Sequence, residues 1–486
     1  MKRELLHQAF DPEAFRLLGK EVIDLLADYL QESQAGDGRK VMPFVDPDEA
    51  LKFWQEDLDK AKSQTPFSFF EKSLDNSLLL HHPHYMGHQM SVPAPISVLA
   101  GMLASLLNNG MAIYETGPVS SPLDRLLVDE VNKVIGYGPD SSGIMTSGGT
   151  LSNLTALLAA RSIKAKEDVW KSGTRKQYAL LVSEEAHYCV DRAVRIMGWG
   201  EEGIIKVPTD ENYRIRIDLL EDLMQEAHTK GIEVLAVVGS ACTTSTGTYD
   251  DLEGIARFCE KHDLWFHVDG AHGVAAAFSP HYKELVKGLH RADSITMDFH
   301  KMLLTPATTT ALLFKRGGDS FRTFSQKAQY LWEEQEEAEW FNMAKRTVEC
   351  TKRMMSLQAY LLIRTYGMGL FEEYVDLCYQ NGEQFAQMVD EHPNFELATQ
   401  PDGNIVCFRY RFDTRPVDEW NAFNKRLRRL LLEEGHYYIV QTLIRGQLFL
   451  RVTLMNPFTR KEHMKGLLDH ILGKVSVVGK GSLNLS

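Results

Sequence analysis

The chain has 486 residues, 44 % hydrophobic and 24 % charged, an ordinary globular composition with length enough for two or three domains. A formal net charge of −13 argues against a nucleic-acid surface or a polybasic membrane patch and serves solubility. Six cysteines lie far apart, with neither a C-x-x-C pair nor zinc-ligand spacing, so no metal is expected and the thiols read as buried groups of a reducing compartment, the cytoplasm.

The first residues, Met1 to Leu6, carry two basic side chains and no apolar run, so a signal peptide is not expected. Helical periodicity follows at Phe15, Leu18, Val22, Leu25, Leu26 and Tyr29, and prolines then punctuate residues 42–47. Residues 1–88 thus predict a helical N-terminal arm that packs on something else. The most apolar stretch, residues 94–107, is too short to span a bilayer and reads as a buried or interface helix. From 89 to 366, β-rich runs at 143–147, 178–183, 234–239, 264–268, 294–297 and 309–314 alternate with helical stretches, the pattern of a mostly parallel sheet flanked by helices. Residues 367–486 change pattern: helix 370–389, strand 405–410, helix 417–434, a hairpin-like stretch 437–452 and a helix near 461–472. This predicts a small α+β domain.

The residues with chemical potential fall just after the predicted strands, where open α/β sheets bind ligands. The turn Ser147-Gly148-Gly149-Thr150 joins a strand to a helix expected to start near Leu151. Adjacent glycines there let backbone N–H groups approach an anion, and Thr150 adds a hydroxyl. Alone, such a turn is an ordinary strand-to-helix connection. His187 follows the next strand and has an imidazole able to stack on a flat ring, although a lone histidine is more often a surface or core residue. Thr244 follows the strand at 234–239 and offers a hydroxyl in what is also common turn material. Asp269 ends a strongly apolar strand, where an unpaired carboxylate is costly to bury; it needs a cationic partner, a helix to cap or a salt bridge. Ala271 beside it is small enough for a ring to lie against. Lys301 follows the strand at 294–297 with Asp298 and His300 as neighbours, and Met302-Leu303-Leu304 after it suggests burial. A buried lysine beside a cationic neighbour is expected to lose its proton more easily, as an imine-forming amine must. An amine at one strand end and a carboxylate at another are what pyridoxal 5'-phosphate needs: the amine holds its aldehyde as a Schiff base and the acid keeps its ring nitrogen protonated.

In order along the chain, His82-Pro83-His84-Tyr85, Thr146 to Asn153, Ala186-His187, His267 to Ala271, Asp298 to Lys301, Thr347 to Arg353 and Arg451 to Pro457 together resemble the group II pyridoxal-phosphate-dependent amino acid decarboxylases. These include glutamate, aromatic amino acid, cysteine sulfinate and diaminobutyrate decarboxylases. The resemblance implies an aspartate-aminotransferase-like α/β fold (fold type I) used as a homodimer whose N-terminal segments wrap the partner. It implies Lys301 as the Schiff-base lysine, Asp269 as the ring-nitrogen partner and His187 as the stacking residue. Gly149, Thr150 and His300 would lie at the phosphate, with Thr244 near the cofactor. Arg451 matches an arginine that meets the substrate α-carboxylate in glutamate-type members, and His88 matches a substrate-contacting position by its offset from His82-Pro83.

Two positions depart from the family pattern. Phe299 stands where many members have proline. Phe341 is nearest by offset to a loop tyrosine that reprotonates the substrate carbon; Tyr330 or a histidine elsewhere is the alternative donor. The leading expectation is α-decarboxylation of an L-amino acid to an amine, with acidic or small polar substrates ahead of aromatic ones. A phenylalanine at the loop position is associated in the family with oxidative deamination to an aldehyde, which is the alternative, and a cofactor-binding protein without turnover is the third reading. The acidic run 333–337 suits attraction of a cationic substrate or simply a solvated helix face.

Overall fold

The structure, a computed structural model, describes residues 4–36, 39–324, 339–412 and 416–480. Tyr330 and the acidic run 333–337 lie outside the described residues. The chain divides into two compact units that are not consecutive segments: a larger one of residues 89–386 and 398–406, and a smaller one of 1–88, 387–397 and 407–486.

The larger unit is built on seven strands: β1 (Ser142–Thr146), β2 (Gln177–Ser183), β3 (Ile204–Val207), β4 (Ile232–Ser240), β5 (Trp265–Asp269), β6 (Ser294–Asp298) and β7 (Thr310–Phe314). Their spatial order is β1-β7-β6-β5-β4-β2-β3. Neighbours from β6 to β3 are parallel, whereas β7 is antiparallel to both β1 and β6. Two reversals cancel, so β1 points the same way as β6 and its carboxyl end reaches the same sheet edge. β1, β6 and β7 are buried along their whole length, as strands covered on both faces should be. The mostly parallel sheet with flanking helices is the expected fold class, and all six expected strands are present. β3 was not legible in the sequence: it is a four-residue edge strand with an exposed lysine and two half-buried isoleucines.

The helix Gly149–Lys164 lays Ala156, Leu157, Ala159 and Ala160 into a core with Leu180, Val182, Ala236, Val238 and Trp265. Burying a leucine or valine side chain contributes roughly 1.5–3 kcal/mol, and the alanines let the helix approach closely. That packing fixes where the helix begins, which sets the turn after β1.

In the smaller unit, the arm helix Pro12–Ala35 starts where Asp11 accepts the Glu13 N–H and ends at Gly36, whose φ of 71° is a left-handed cap. A four-stranded sheet follows the order β10-β11-β9-β8, with β8 at Phe395–Leu397, β9 at Ile405–Tyr410, β10 at Val440–Ile444 and β11 at Gln447–Thr453. The β10–β11 and β8–β9 pairs are antiparallel. Helices Val417–Glu434 and Lys461–Lys480 accompany it, and three-residue β8 escaped sequence reading. The N-terminal segment enters this unit through Tyr85, which bridges to Tyr438 and stacks on it at 5.6 Å, while Asn456 donates to the carbonyls of Leu80 and His82.

Candidate active site

The sheet register places the chemistry at one edge. Asp269, the last residue of β5, pairs with Ser240 at the end of β4 and with Thr296 of β6, whose own last residue is Asp298. The turns leaving these strands, together with those after β1 and β2, line a cavity of about 300 Å³. Gly149, Thr150, His187, Thr244, Asp269, Ala271, His300 and Lys301 all line it.

Lys301 is partly buried, with 22 % of its side chain exposed, and its Nζ lies 3.2 Å from Oδ2 of Asp298. Met302, Leu303 and Leu304 beyond it are buried, as expected. Asp298 is itself 2 % exposed and accepts the Thr310 hydroxyl at 2.5 Å, with His300 Nε2 3.6 Å away. Burial acts to lower the Lys301 pKa, but attraction to Asp298 and Asp269 and the hydrogen bond to Asp298 outweigh it, so the net shift is upward. The expected easily deprotonated lysine is therefore corrected: the decisive neighbours are carboxylates, not a cation, and they hold the ammonium form.

The helix after β1 begins at Gly149, two residues before the expected start, and Gly148 precedes it with φ 107° and no side-chain cap. A Cβ on Gly149 would stand 3.2 Å from Oδ2 of Asp298 and 3.6 Å from Cβ of Ala271. The missing side chain thus keeps the space between the helix start and the lysine open.

His187 caps the helix Tyr188–Ile196, its Nδ1 accepting the Cys189 N–H at 3.3 Å. Burial lowers its pKa; Asp269 opposes this and Lys301 adds to it. The imidazole is held neutral. A nitrogen of His187, Sγ of Cys189 and a carboxylate oxygen of Asp269 lie within 4.8 Å of one another, a set that by spacing could hold a metal ion. Oδ1 of Asp269 accepts the Ala271 N–H at 3.4 Å, the long bond of a carboxylate with acceptor capacity to spare.

Sequence reading passed over Cys242 and Thr308 and gave no role to Asn153, Cys189 and Asp298, all of which line the cavity. Asp298 had a signal, its place at the end of an apolar strand like that of Asp269; Cys189 read only as a buried thiol. Three expected residues are not among the cavity lining. Arg451 is buried in β11 and His88 lies beside Tyr438 at 6.1 Å, both in the smaller unit. Burial, then Arg451 and Arg428, lower the His88 pKa. Phe341 is in the larger unit, its ring packed edge-on against Tyr114 at 5.6 Å and Trp340 at 5.7 Å.

The family model described as the pyridoxal-dependent decarboxylase conserved domain matches residues 71–411. An aromatic-L-amino-acid decarboxylase of Bacillus atrophaeus is 27 % identical over 467 residues, covering 94 % of this chain and 95 % of its own. An L-2,4-diaminobutyrate decarboxylase of Acinetobacter baumannii is 28 % identical over 420 residues, 83 % of this chain and 82 % of its own. Among solved structures, the glutamate decarboxylase domain of a diaminobutyrate-pyruvate transaminase and L-2,4-diaminobutyrate decarboxylase from Vibrio parahaemolyticus has the same fold. It superposes with a TM-score of 0.81 at 24 % identity, over 96 % of this chain and 95 % of that one.

Proposed function

We propose, from the premise that this chain belongs to the pyridoxal-dependent decarboxylase family, that Lys301, Asp269 and His187 are the working residues of an amino acid decarboxylase. The enzyme uses pyridoxal 5'-phosphate to remove the α-carboxylate of an amino acid as carbon dioxide. The observation that carries the residue assignment is the convergence of an amine, a carboxylate and a neutral imidazole in one cavity of about 300 Å³.

The cavity suits the cofactor on its own chemistry. Side-chain-free Gly149 and the small Ala271 leave room beside Lys301, and the uncapped start of the helix Gly149–Lys164 offers first-turn N–H groups to a phosphate, with the Thr150 hydroxyl and His300 beside them. Bound pyridoxal phosphate supplies an electron sink for the pair released when the Cα–carboxylate bond breaks. Lys301 Nζ supplies the amine and must first give up the proton its carboxylate neighbours retain; Asp298 Oδ2, at 3.2 Å, is the ion partner in reach. Asp269 presents negative charge where a protonated ring nitrogen needs it. His187, kept neutral, presents a flat face without adding a competing charge. Thr244 is a further hydroxyl-bearing residue of the lining.

For the substrate, we infer an acidic or small polar amino acid ahead of an aromatic one, with Arg451 taking the α-carboxylate and His88 touching substrate. Support comes from the two guanidinium groups, Arg451 and Arg428, that stand next after burial as influences on His88. The product is the amine; the aldehyde reading, resting on Phe341, gains no better support from the comparisons. A homodimer is favoured by the exposed apolar side chains of the arm helix, Phe15, Leu17 and Ile23, and of the helix Pro95–Leu107, Leu99, Met102 and Leu106. The cytoplasm suits six cysteines of which none, among the described residues, is in a disulfide. No helix among the described residues is long and apolar enough to cross a membrane.

The test is carbon dioxide release and product mass from acidic, basic and aromatic amino acids, with Lys301→Ala as the control. The variant should lose both turnover and borohydride-fixed cofactor; retention of fixed cofactor would sink the assignment of Lys301.

A further inference from the structure

Behind Asp269 runs an unbroken line of buried polar contacts. Trp265 Nε1 lies 2.8 Å from Ser294 Oγ, and Ser294 Oγ 2.9 Å from His267 Nδ1. His267 Nε2 is 2.9 Å from Asn153 Oδ1, Asn153 Nδ2 is 3.1 Å from Cys189 Sγ, and Cys189 Sγ is 3.9 Å from Asp269 Oδ2. Trp265, Ser294, His267, Asn153 and Cys189 are each at most 2 % exposed, so water does not substitute for a missing link.

With Asn153 Oδ1 facing His267 and Nδ2 facing Cys189, the two ends are met by one direction that runs through every link. An indole N–H can only donate, and an ionised carboxylate can only accept. Ser294 Oγ receives the Trp265 hydrogen and passes its own to His267 Nδ1; His267 passes the Nε2 hydrogen to Asn153 Oδ1; the Asn153 amide donates to Cys189, whose S–H points to Asp269. In the reverse direction, with the Asn153 amide turned over, Ser294 Oγ would accept from both Trp265 and His267, and Asp269 Oδ2 would receive no hydrogen from this side. The Ser294 carbonyl, 3.2 Å from Nδ1, has no hydrogen between it and that nitrogen in this tautomer and is the contact that opposes it. Burial supports both protonation states the chain requires, lowering the His267 pKa to about 4 and pushing the Cys189 thiol up to about 12, with Asp269 adding to the latter.

We propose that this donor chain is a positioning device for the cofactor's ring nitrogen, in which Asn153 and Cys189 fix one oxygen of Asp269 as an acceptor and aim the other. The proposal rests on the assignment of Asp269 above. It gives a purpose to a buried thiol and a buried amide that the reaction itself does not use. The S–H link is long and weak, so the geometry it holds is sensitive to the group at position 189.

The experiment is nitrogen NMR of holoenzyme loaded with pyridoxal phosphate labelled at the ring nitrogen, together with equilibrium dialysis of the cofactor. Four variants are compared: Asp269→Asn, Cys189→Ala, Cys189→Ser and Asn153→Asp. Wild type and Cys189→Ser, which keeps a donor, should show the protonated ring nitrogen. Cys189→Ala removes the last donor and Asn153→Asp draws the S–H away from Asp269. Both should move the signal towards the unprotonated position and weaken cofactor binding about two- to tenfold, the worth of one hydrogen bond. An Asp269→Asn enzyme with the wild-type signal would overturn the assignment of Asp269 itself. If Asp269→Asn moves the signal while Cys189→Ala does not, the donor chain alone is overturned. Circular dichroism establishes folding, and Cys189→Ala decides the matter should Asn153→Asp fail to fold.

Discussion

Lys301 and Asp298 form an ion pair of 3.2 Å across a single turn of chain, with the carboxylate almost wholly buried and the ammonium reaching the cavity. Asp298 therefore works against the lysine's chemistry as well as for its placement. Replacing Asp298 with asparagine removes the strongest opposition to burial, so the lysine should deprotonate more readily and the pH midpoint for borohydride-trappable cofactor should fall. The sign for stability is also fixed. A folded pKa above 10.5 stabilises the cofactor-free protein at lower pH, and that stability is lost as pH rises through the folded value. Urea melts above pH 10 should show this loss in wild type and less of it in Asp298→Asn.

Gly149→Ala tests the open space at the helix start. Its Cβ would crowd the Asp298 carboxylate at 3.2 Å and Ala271 at 3.6 Å, while a helix gains from alanine over glycine by up to about 1 kcal/mol. The expected result is weaker cofactor binding, on the order of tenfold, with cofactor-free stability unchanged or raised. Dialysis and thermal melting separate the two effects; equal loss in both would mean that the glycine serves folding rather than the site.

The side chains of Lys352 and Asp124 are each 1 % exposed and 2.6 Å apart, and Lys352 also donates to the Met145 carbonyl of β1 at 2.6 Å. Asp124→Ala leaves an uncompensated buried cation and should cost about 3–5 kcal/mol in chemical denaturation. The double variant Asp124→Leu with Lys352→Met should recover much of that loss; a double variant as unstable as the single one would argue for a packing defect instead.

Acid should weaken the fold through histidines that remain neutral when folded. His267 and His84 both have pKa values lowered to about 4, chiefly by burial, with neighbouring His82 adding to the effect at His84. The unfolded chain takes up protons near pH 6.5 that the folded chain refuses, so stability is full above that pH and declines between about 6.5 and 4. The fully buried His267 contributes on the order of 3 kcal/mol to this decline. Denaturant midpoints across that range check the slope, and a flat profile would contradict it.

The product distinguishes the two readings that Phe341 left open. Amine and carbon dioxide in equal amounts, with neither hydrogen peroxide nor ammonia, are expected; stoichiometric peroxide would move the assignment to aldehyde formation.

The cavity was largely legible because its residues sit at strand ends, and strand ends follow from short apolar runs bounded by turns. Asp269 and Lys301 stood out for that reason. Burial of an acid is visible in sequence, but its company is not: Asp298 was adjacent to Lys301 in the chain, yet its effect on the amine depends on Thr310 and Asp269, which come from other strands. Cys189 and Asn153 meet only because two helices start at the same sheet edge, a coincidence no local pattern announces. β3 and β8 failed for a simpler reason, since four and three residues are too few for periodicity to register.

The antiparallel strand β7 has a consequence for how the molecule is made. β1 is the first strand of its sheet to leave the ribosome, yet its neighbour in that sheet is β7, the last. Through most of synthesis β1 has no backbone partner, and only the packing of the helix that follows it holds the glycine turn. Pairing so distant in sequence is slow and leaves an unpaired apolar strand open to wrong associations. The sheet edge that carries the cofactor residues is thus completed late, when β7 inserts between β1 and β6, and a chain cut short before residue 310 would carry both Lys301 and Gly149 without the strand that ties β1 to β6.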